Sequence, residues 1–528
     1  MKSIIKILIF NFFLIFGNQI VLSQSSIQWV KTYNGYGNDL DEAFSVITDD
    51  SNNIYVTGGI AGIGSNNFDY ATIKYKPNGD TAWVRLYASP GSNMFDAGRV
   101  ITISNTGYIY VSGAAVTLKY DRNGTQLWVS ENNADCKSIE FDSLNHIYTC
   151  GSGNEDYTLT KFDTNGVRLW QRRYNGPSNN QDRVGGMTVD RFGNIVVTGG
   201  SWGLNNSQYD YATIKYNSNG DTLWQRRYNG PAPLTSVPTD IAYDVTTDHE
   251  GNVYVTGRSD DENNVARCYT IKYSPTGETI WSRSHNLSIG YKIMVDKNGQ
   301  NLYIAGIIGG GNFLLLKYTI DGELLWEKII SPGNIFTPAP TIILDRADNI
   351  YLGASRLESP TLSKLLVVKF DSSGNQLWNI TYNHTPTGEN FPSALALDKQ
   401  NNVIAAGSTT TNSRDYLTIK ISQLTGLIVK NNEIPKCFEL HQNYPNPFNP
   451  ITKINFSLPK NSFVSLKIFD LNGREVANVI NDIRDAGNYE VSFDANKYGL
   501  SSGTYFYTLN VQSLNKNFTE TKKMILIK

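Results

Sequence analysis

The chain is short of the residues that carry most metal binding and much enzyme chemistry. Its 528 residues include 4 cysteines and 5 histidines. The histidines, His146, His249, His285, His384 and His441, are scattered, and no CxxC or Cys/His set has zinc spacing. No Gly-x-Ser-x-Gly elbow, His-Glu-x-x-His helix or phosphate loop occurs. These gaps leave no catalytic residue, metal ligand or cofactor site to name. Cys136, Cys150, Cys268 and Cys437 are too few for a disulfide framework of this size. Cys136 and Cys150 fall on segments expected to pair as a hairpin, which leaves one local bridge open.

Charge of one sign is also lacking. The formal net charge is −2 and the pI about 6.3, so nothing advertises nucleic acid or an anionic membrane as a partner. No apolar run is long enough to span a bilayer. The one short run, Ile7 to Phe16, follows Lys2 and Lys6 and precedes Val21-Leu22-Ser23. That order reads as a secretory signal over residues 1–23, cut near Ser23/Gln24. Beyond it no sustained 3.6-residue apolar stripe appears, which excludes a helical fold.

What is present is a repeat. Trp29, Trp83, Trp128, Trp170, Trp224, Trp281, Trp326 and Trp378 each open a unit. A stretch such as Ile54-Tyr-Val-Thr-Gly58 follows, then one such as Thr72-Ile-Lys-Tyr75. Asp69 to Tyr75 recurs as Asp210 to Tyr216, and Trp170 to Pro177 as Trp224 to Pro231. A period this short cannot bury its apolar faces alone, so neighbours must stack.

Unit four predicts strands at 186–190, 194–199, 211–216 and 222–228, joined by Asp/Gly and Asn/Gly turns that supply positive φ and side-chain capping. Asp49, Asp142, Asp190, Asp248, Asp345 and Asp398 recur five residues before the second stretch, with Asp296 shifted by one. Asx-turn capping explains them without calcium.

Four antiparallel strands per unit predict an all-β protein with an eight-bladed β-propeller over residues 24–426. Weaker repeats at Gly353-Ala354 and Ile404-Ala405-Ala406 leave seven or nine blades open. The tryptophans read as fillers between blades. The last unit lacks a tryptophan strand of its own, so the Trp29 strand should complete it; Leu427 to Lys430 is the rival. The pattern Gly-Asn-Ile/Val-Tyr-Val-Thr-Gly, Asp-Tyr-x-Thr-Ile-Lys-Tyr, Gly-x-x-x-Trp resembles the SBBP-type β-propeller repeat of secreted bacterial proteins. That resemblance implies an extracellular module and is silent on activity.

Residues 427–437 read as a linker, and 438–528 as a small Ig-like β-sandwich of about seven strands. The segment Tyr444-Pro445-Asn446-Pro447-Phe448-Asn449-Pro450 is more than a sandwich requires. With Gly487, Tyr489, Gly503 and Tyr505 it closely resembles the type A C-terminal sorting domain of the type IX (Por) secretion system. That resemblance implies export, with the secretion machinery as partner of residues 438–528, and a final place at the cell surface or outside the cell.

Within the repeat, connections between the second and third strands vary most. From the last residue of the second stretch to the lysine of the third, the offsets are 16, 6, 10, 16, 15, 11, 15 and 13 residues. Those connections share one face of the ring, which is where function is usually carried. Trp202, Tyr209 and Tyr211 in unit four, with Phe68 and Tyr70 in unit one, are the candidate ligand contacts; Trp202 also fits as a staple of its own loop. The reading is a monomeric secreted or cell-surface binding or adhesion module for a polysaccharide or protein. The alternatives are an extracellular hydrolase or lyase with paired acids at the axis, and a structural envelope protein.

Overall fold

The computed structural model describes residues 24–528 apart from 37–39, 63–67, 90–95, 205–208, 233–238, 332–339, 360–361, 386–387, 411–412, 425–426, 430–434, 436, 461, 485, 513–516 and 528. The expected signal segment, residues 1–23, lies outside the described residues. The chain forms two compact units, one spanning Ser25–Gln423 and one running from Leu424 to the C-terminus. Among the described residues both are built from antiparallel strands, with no α-helix.

Ser25–Gln423 holds seven sheets, six of four strands and one of six; six of the seven are ordered as in the sequence, and the seventh takes the N-terminal strand Gln24–Tyr33 beside the last three. The six-stranded sheet joins repeat units two and three through the long strand Gln126–Phe141. Alternating side chains of each buried strand enter two different cores. In Ile54–Ala61, Ile54 and Val56 pack on unit eight and Tyr55 on unit two. Successive cores link every unit to the next, and unit eight returns to unit one through Ala396, Ile404 and Tyr416. The closed ring is a β-propeller. Both faces of each sheet are covered, which is why the second stretch, as in Ile54–Ala61, is buried at every position rather than at alternate ones.

Unit-four strands run Asp182–Val189, Ile195–Trp202, Tyr209–Tyr216 and Thr222–Tyr228. The first three are longer than the sequence suggests, because pairing continues past the glycines to Asp182 with Ser201 and Trp202 with Tyr209. The recurrent glycine of the second stretch has a packing reason. A Cβ on Gly58 would lie 1.9 Å from the Glu42 carbonyl oxygen, and one on Gly199 2.1 Å from that of Arg183. These carbonyls belong to the innermost strand, which carries a β-bulge at this level in units one and four. In unit seven Ala354 stands in the glycine's place.

The tryptophans fill the blade interfaces and also clamp them. Every repeat tryptophan except Trp378 donates its indole N–H to a carbonyl in the outer turn of the following unit, as in Trp83 to Arg122 (3.3 Å), Trp128 to Thr164 (3.2 Å) and Trp224 to Pro275 (2.9 Å). The turn glycine lies against the ring, so a Cβ on Gly124 would come 2.8 Å from Trp83. Ring closure follows the first of the two sequence expectations. Gln24–Tyr33 pairs with Arg414–Leu424, and the Trp29 indole donates to the Pro77 carbonyl (3.1 Å). The rival segment Leu427–Val429, placed in the linker by sequence, pairs instead with Gly487–Asp494 of the C-terminal unit.

This closure explains an exception. Unit eight takes its outer strand from the other end of the chain, so it has no outer turn, and the buried Trp378 Nε1 finds no partner. Gln423 substitutes in part, accepting from Lys369 Nζ at 2.5 Å.

The C-terminal unit has two four-stranded sheets around one core, in which Ile454, Phe456 and Phe493 meet Val464, Leu466 and Leu509. That makes eight strands against the seven or so expected. Cys136 and Cys150 are free, as are Cys268 and Cys437. Cys136 packs in the core shared with unit two and Cys150 in the core shared with unit four, so the local bridge left open by the sequence is not formed.

Candidate functional site

The repeated aspartates close the turns on one face of the ring. Asp190 Oδ1 accepts from the Phe192 and Asn194 backbone N–H groups, and its Oδ2 accepts from the Asn194 amide and pairs with Lys215 Nζ at 2.9 Å. Where the second stretch has tyrosine, its hydroxyl joins the same oxygen, as in Tyr55 to Asp49 (3.0 Å) and Tyr254 to Asp248 (2.9 Å). The third-stretch lysine also reaches the next unit, as Lys74 does to the Arg122 carbonyl (2.8 Å). These hydrogen bonds hold Asp49 and Asp345 below the usual carboxylate range although burial pushes them the other way. In unit six the turn is one residue longer, and the buried Tyr303 hydroxyl has no partner. The lysine's part was missed in the sequence. Its recurrence beside an aromatic was the available signal.

A second aspartate set, also missed, organises the opposite, variable-loop face. Asp182 accepts from Gly176 N (2.6 Å) and Trp202 N (3.1 Å), tying the incoming connection to the end of the second strand. Asp240 does the same with Gly230 N and Asp260 N, and Asp41 with Gly35 N and Ala61 N. The signal is Tyr-Asn-Gly at 33–35, 174–176 and 228–230, with an aspartate six to ten residues on.

The sequence-predicted contacts separate on this scaffold. Tyr70 and Tyr211 are each 1% exposed, with hydroxyls donated to the next unit at Ala114 O (2.7 Å) and Tyr269 O (3.0 Å). They are packing residues and cannot meet a ligand. Trp202 is half-buried and lies edge-on to Tyr209 at 5.0 Å, while Tyr209 is buried beneath it and hydrogen-bonded to Gln181. Phe68 lies against Gly59 at the equivalent level of unit one. Trp202 and Tyr209 are thus placed as a loop staple.

Open space on the variable-loop face lies elsewhere. A hollow of about 610 Å³ sits between units two and three, lined by Asp96, Arg99, Asn133, Asp135, Gln171 and Arg173 among others. It adjoins the two shortest second-to-third connections. Arg99 pairs with Asp135 at 3.2 Å and Arg173 with Asp156 at 2.6 Å. A second hollow, about 490 Å³, is lined by Tyr228, Tyr269, Asp260, Asp261, Glu262 and Arg267. Tyr228 and Tyr269 stack at 4.4 Å with planes 9° apart.

The inner strands line the axis, and their bulges add Phe44, Arg99, Tyr243 and Tyr291. Arg99 stacks on Phe44 at 4.8 Å, and Tyr243 packs on Tyr291 at 4.9 Å. Glu140, on the inner strand of unit three, has its carboxyl pushed up to about 7, first by burial and then by the Asp244 carboxylate of unit five. Asp244 is itself raised by burial and accepts from Ile293 N (3.1 Å). Neither acid borders the two hollows.

A raised carboxyl pKa means the folded state holds a proton that the unfolded state releases, so stability is full below about pH 4 and falls as pH rises toward 7. Glu140→Gln should therefore gain about 1–2 kcal/mol at pH 8, discounting for partial exposure, and nothing at pH 4. Denaturant melts at the two pH values check this; an equal effect at both would contradict the assignment.

Residues 442–528 match the family model described as the secretion system C-terminal sorting domain. No curated protein matches the chain. Among solved structures, Sqt1 from Chaetomium thermophilum is similar with TM-score 0.51 at 8% identity, covering 76% of this chain and all of that one. The C-terminal WD40 domain of Sif2 aligns with TM-score 0.49 at 11% identity, over 74% and 99% of the two chains. The Cps50 (Swd1) β-propeller domain gives 0.41 at 10%, over 75% and 99%. The class is thus a β-propeller joined to a type IX sorting domain, which points to export to the cell surface or beyond.

In the sorting domain the motif is divided. Phe448 is buried, Asn446 Oδ1 accepts from Ile525 N, and the Pro450 carbonyl accepts from Ala495 N. Tyr489 stacks on Phe456 at 5.1 Å, and Tyr505 donates to the Ser501 carbonyl. Gly487 and Gly503 start strands. Tyr444, Pro445, Pro447 and Asn449 are exposed.

Proposed function

We propose that the chain is an exported binding module of the SBBP repeat type, with eight blades, whose variable-loop face holds a polysaccharide or a surface protein. Eight blades follow if the six-stranded sheet is two blades in which Ile109–Tyr120 supplies the second and third strands of unit two and Gln126–Phe141 the fourth of unit two and the first of unit three, each blade with its own turn aspartate or serine and clamp tryptophan. In this reading residues 1–23 are removed on export, residues 24–426 work as a monomer, and the C-terminal Ig-like unit presents Tyr444, Pro445, Pro447 and Asn449 to the secretion machinery.

The observation that carries the binding reading is the pair of hollows on the variable-loop face. Both mix planar hydrogen-bonding side chains with hydroxyls, and one adds a tyrosine stack, the combination that sugar rings and extended peptides use. A glycan array and surface-protein panel probed with the full chain should give hits that Tyr269→Ala or Arg173→Ala weakens about tenfold, the scale of one lost contact. Trp202→Ala should leave those hits unchanged. Hits indifferent to both hollow substitutions, or none, would leave the structural-component alternative in place.

A further inference from the structure

The face opposite the variable loops, made of short turns, carries a feature the binding reading does not use. Each inner turn presents one side chain immediately after its capping residue, and around the ring these are Asp50, Asn105, Ser143, Arg191, His249, Lys297, Arg346 and Lys399. The last five are successive, on units four to eight, and all are exposed. They stand out electrostatically. Residues 438–528 carry a net +2 and Lys2 with Lys6 another +2, so a total of −2 leaves −6 on residues 24–437. An acidic ring thus bears a basic crescent on one rim.

The crescent borders a hollow of about 560 Å³ at the mouth of the axis, lined by Arg346, Lys399, Arg122 and Asn401 together with Asp50 and the turn aspartates. Those turn aspartates are already occupied. Asp398 pairs with Lys420 at 2.9 Å, and Asp345 accepts from Asn349 and the Tyr351 hydroxyl. The exposed acids of the inner turns are Asp50, paired with Lys399 at 3.2 Å, and Glu250; Asp348 beside Arg346 is half-buried, and Asp80, Asp221, Glu278, Asp321 and Glu323 lie farther out on the outer turns of the same face. Arg191 stacks on Phe192, and Arg346 and Lys297 pair with no acid among the described residues.

We propose that this crescent and hollow form a second binding surface, for a polyanionic polysaccharide. Arg191, Lys297, Arg346 and Lys399, spread over units four to eight, suit charges repeated along a flexible chain, and the concave mouth admits a strand but not a flat bilayer. Carboxylate and sulfate polymers share the chemistry required, and the test separates them.

The full chain is titrated at about 50 mM salt, where screening is weak, with polygalacturonate, dextran sulfate and neutral dextran, and with duplex DNA and anionic phospholipid vesicles. The polyanionic polysaccharides should bind, neutral dextran should not, and raising salt to about 0.5 M should abolish binding. Lys297→Glu with Arg346→Glu, both exposed, should keep the melting temperature and weaken binding at least about tenfold. Preference for polygalacturonate or for dextran sulfate identifies the anion. Equal binding by the double variant, no binding of either polyanion, or tighter binding to DNA or vesicles overturns the proposal.

Discussion

Replacing Asp190 by alanine should destabilise the propeller by about 3–5 kcal/mol, the range for breaking a buried ion pair from one side. Asp190 and Lys215 are 2.9 Å apart, with side chains 0% and 2% exposed. Alanine would leave the ammonium buried with the Gly251 carbonyl as its remaining acceptor at 3.3 Å. It would also uncap the turn by releasing the N–H groups of Phe192 and Asn194. Combining Asp190→Asn with Lys215→Met should cost distinctly less, because no charge is stranded and the amide can still cap. Urea melts of both variants decide the point. If the double variant is as unstable as the alanine, turn capping and not the ion pair dominates.

Removing residues 24–33 should have the larger effect, because it opens the ring. That strand completes the sheet of unit eight, packs Ile27 and Val30 against the core shared with unit seven, and lays Trp29 on Tyr75 at 5.9 Å. Its loss exposes two blade interfaces at once. Truncating one large core aromatic costs about 3–5 kcal/mol, so a whole strand exceeds the margin of about 5–15 kcal/mol that folded proteins hold. The expected result is loss of a cooperative thermal transition, restored in part by a peptide spanning residues 24–35 added in excess. A shortened chain that melts as the intact one does would show that the ring holds without its N-terminal strand. Trp29→Ala alone should fall between the two.

The division of labour between sequence and fold is visible in particular residues. Trp83, Tyr55 and Gly58 were legible as scaffold because each answers a local or repeated demand: a filler, a buried strand, a glycine where no Cβ fits. The same regularity explains why the closing strand could be found, since one unit lacked its tryptophan. Lys215 was not legible as a buried cation, because its partner Asp190 lies 25 residues away and meets it only when the strands pair.

Ligand contacts were the least legible. Tyr70 and Tyr211 begin the third strand by sequence, beside the variable loops, but lie inside the blade interface by structure, because their side chains turn toward the next unit and donate to its carbonyls. Trp202 turned out to rest on Tyr209. The hollows that replace them draw on side chains from different strands and units, such as Tyr228 with Tyr269 and Arg99 with Arg173. Sequence by itself determined the all-β repeat, its ring-forming need and the sorting tail, because periodicity and turn chemistry are local. Only the tertiary structure decided which aromatics are buried and where space is left, because burial depends on what the neighbouring unit brings to the same place.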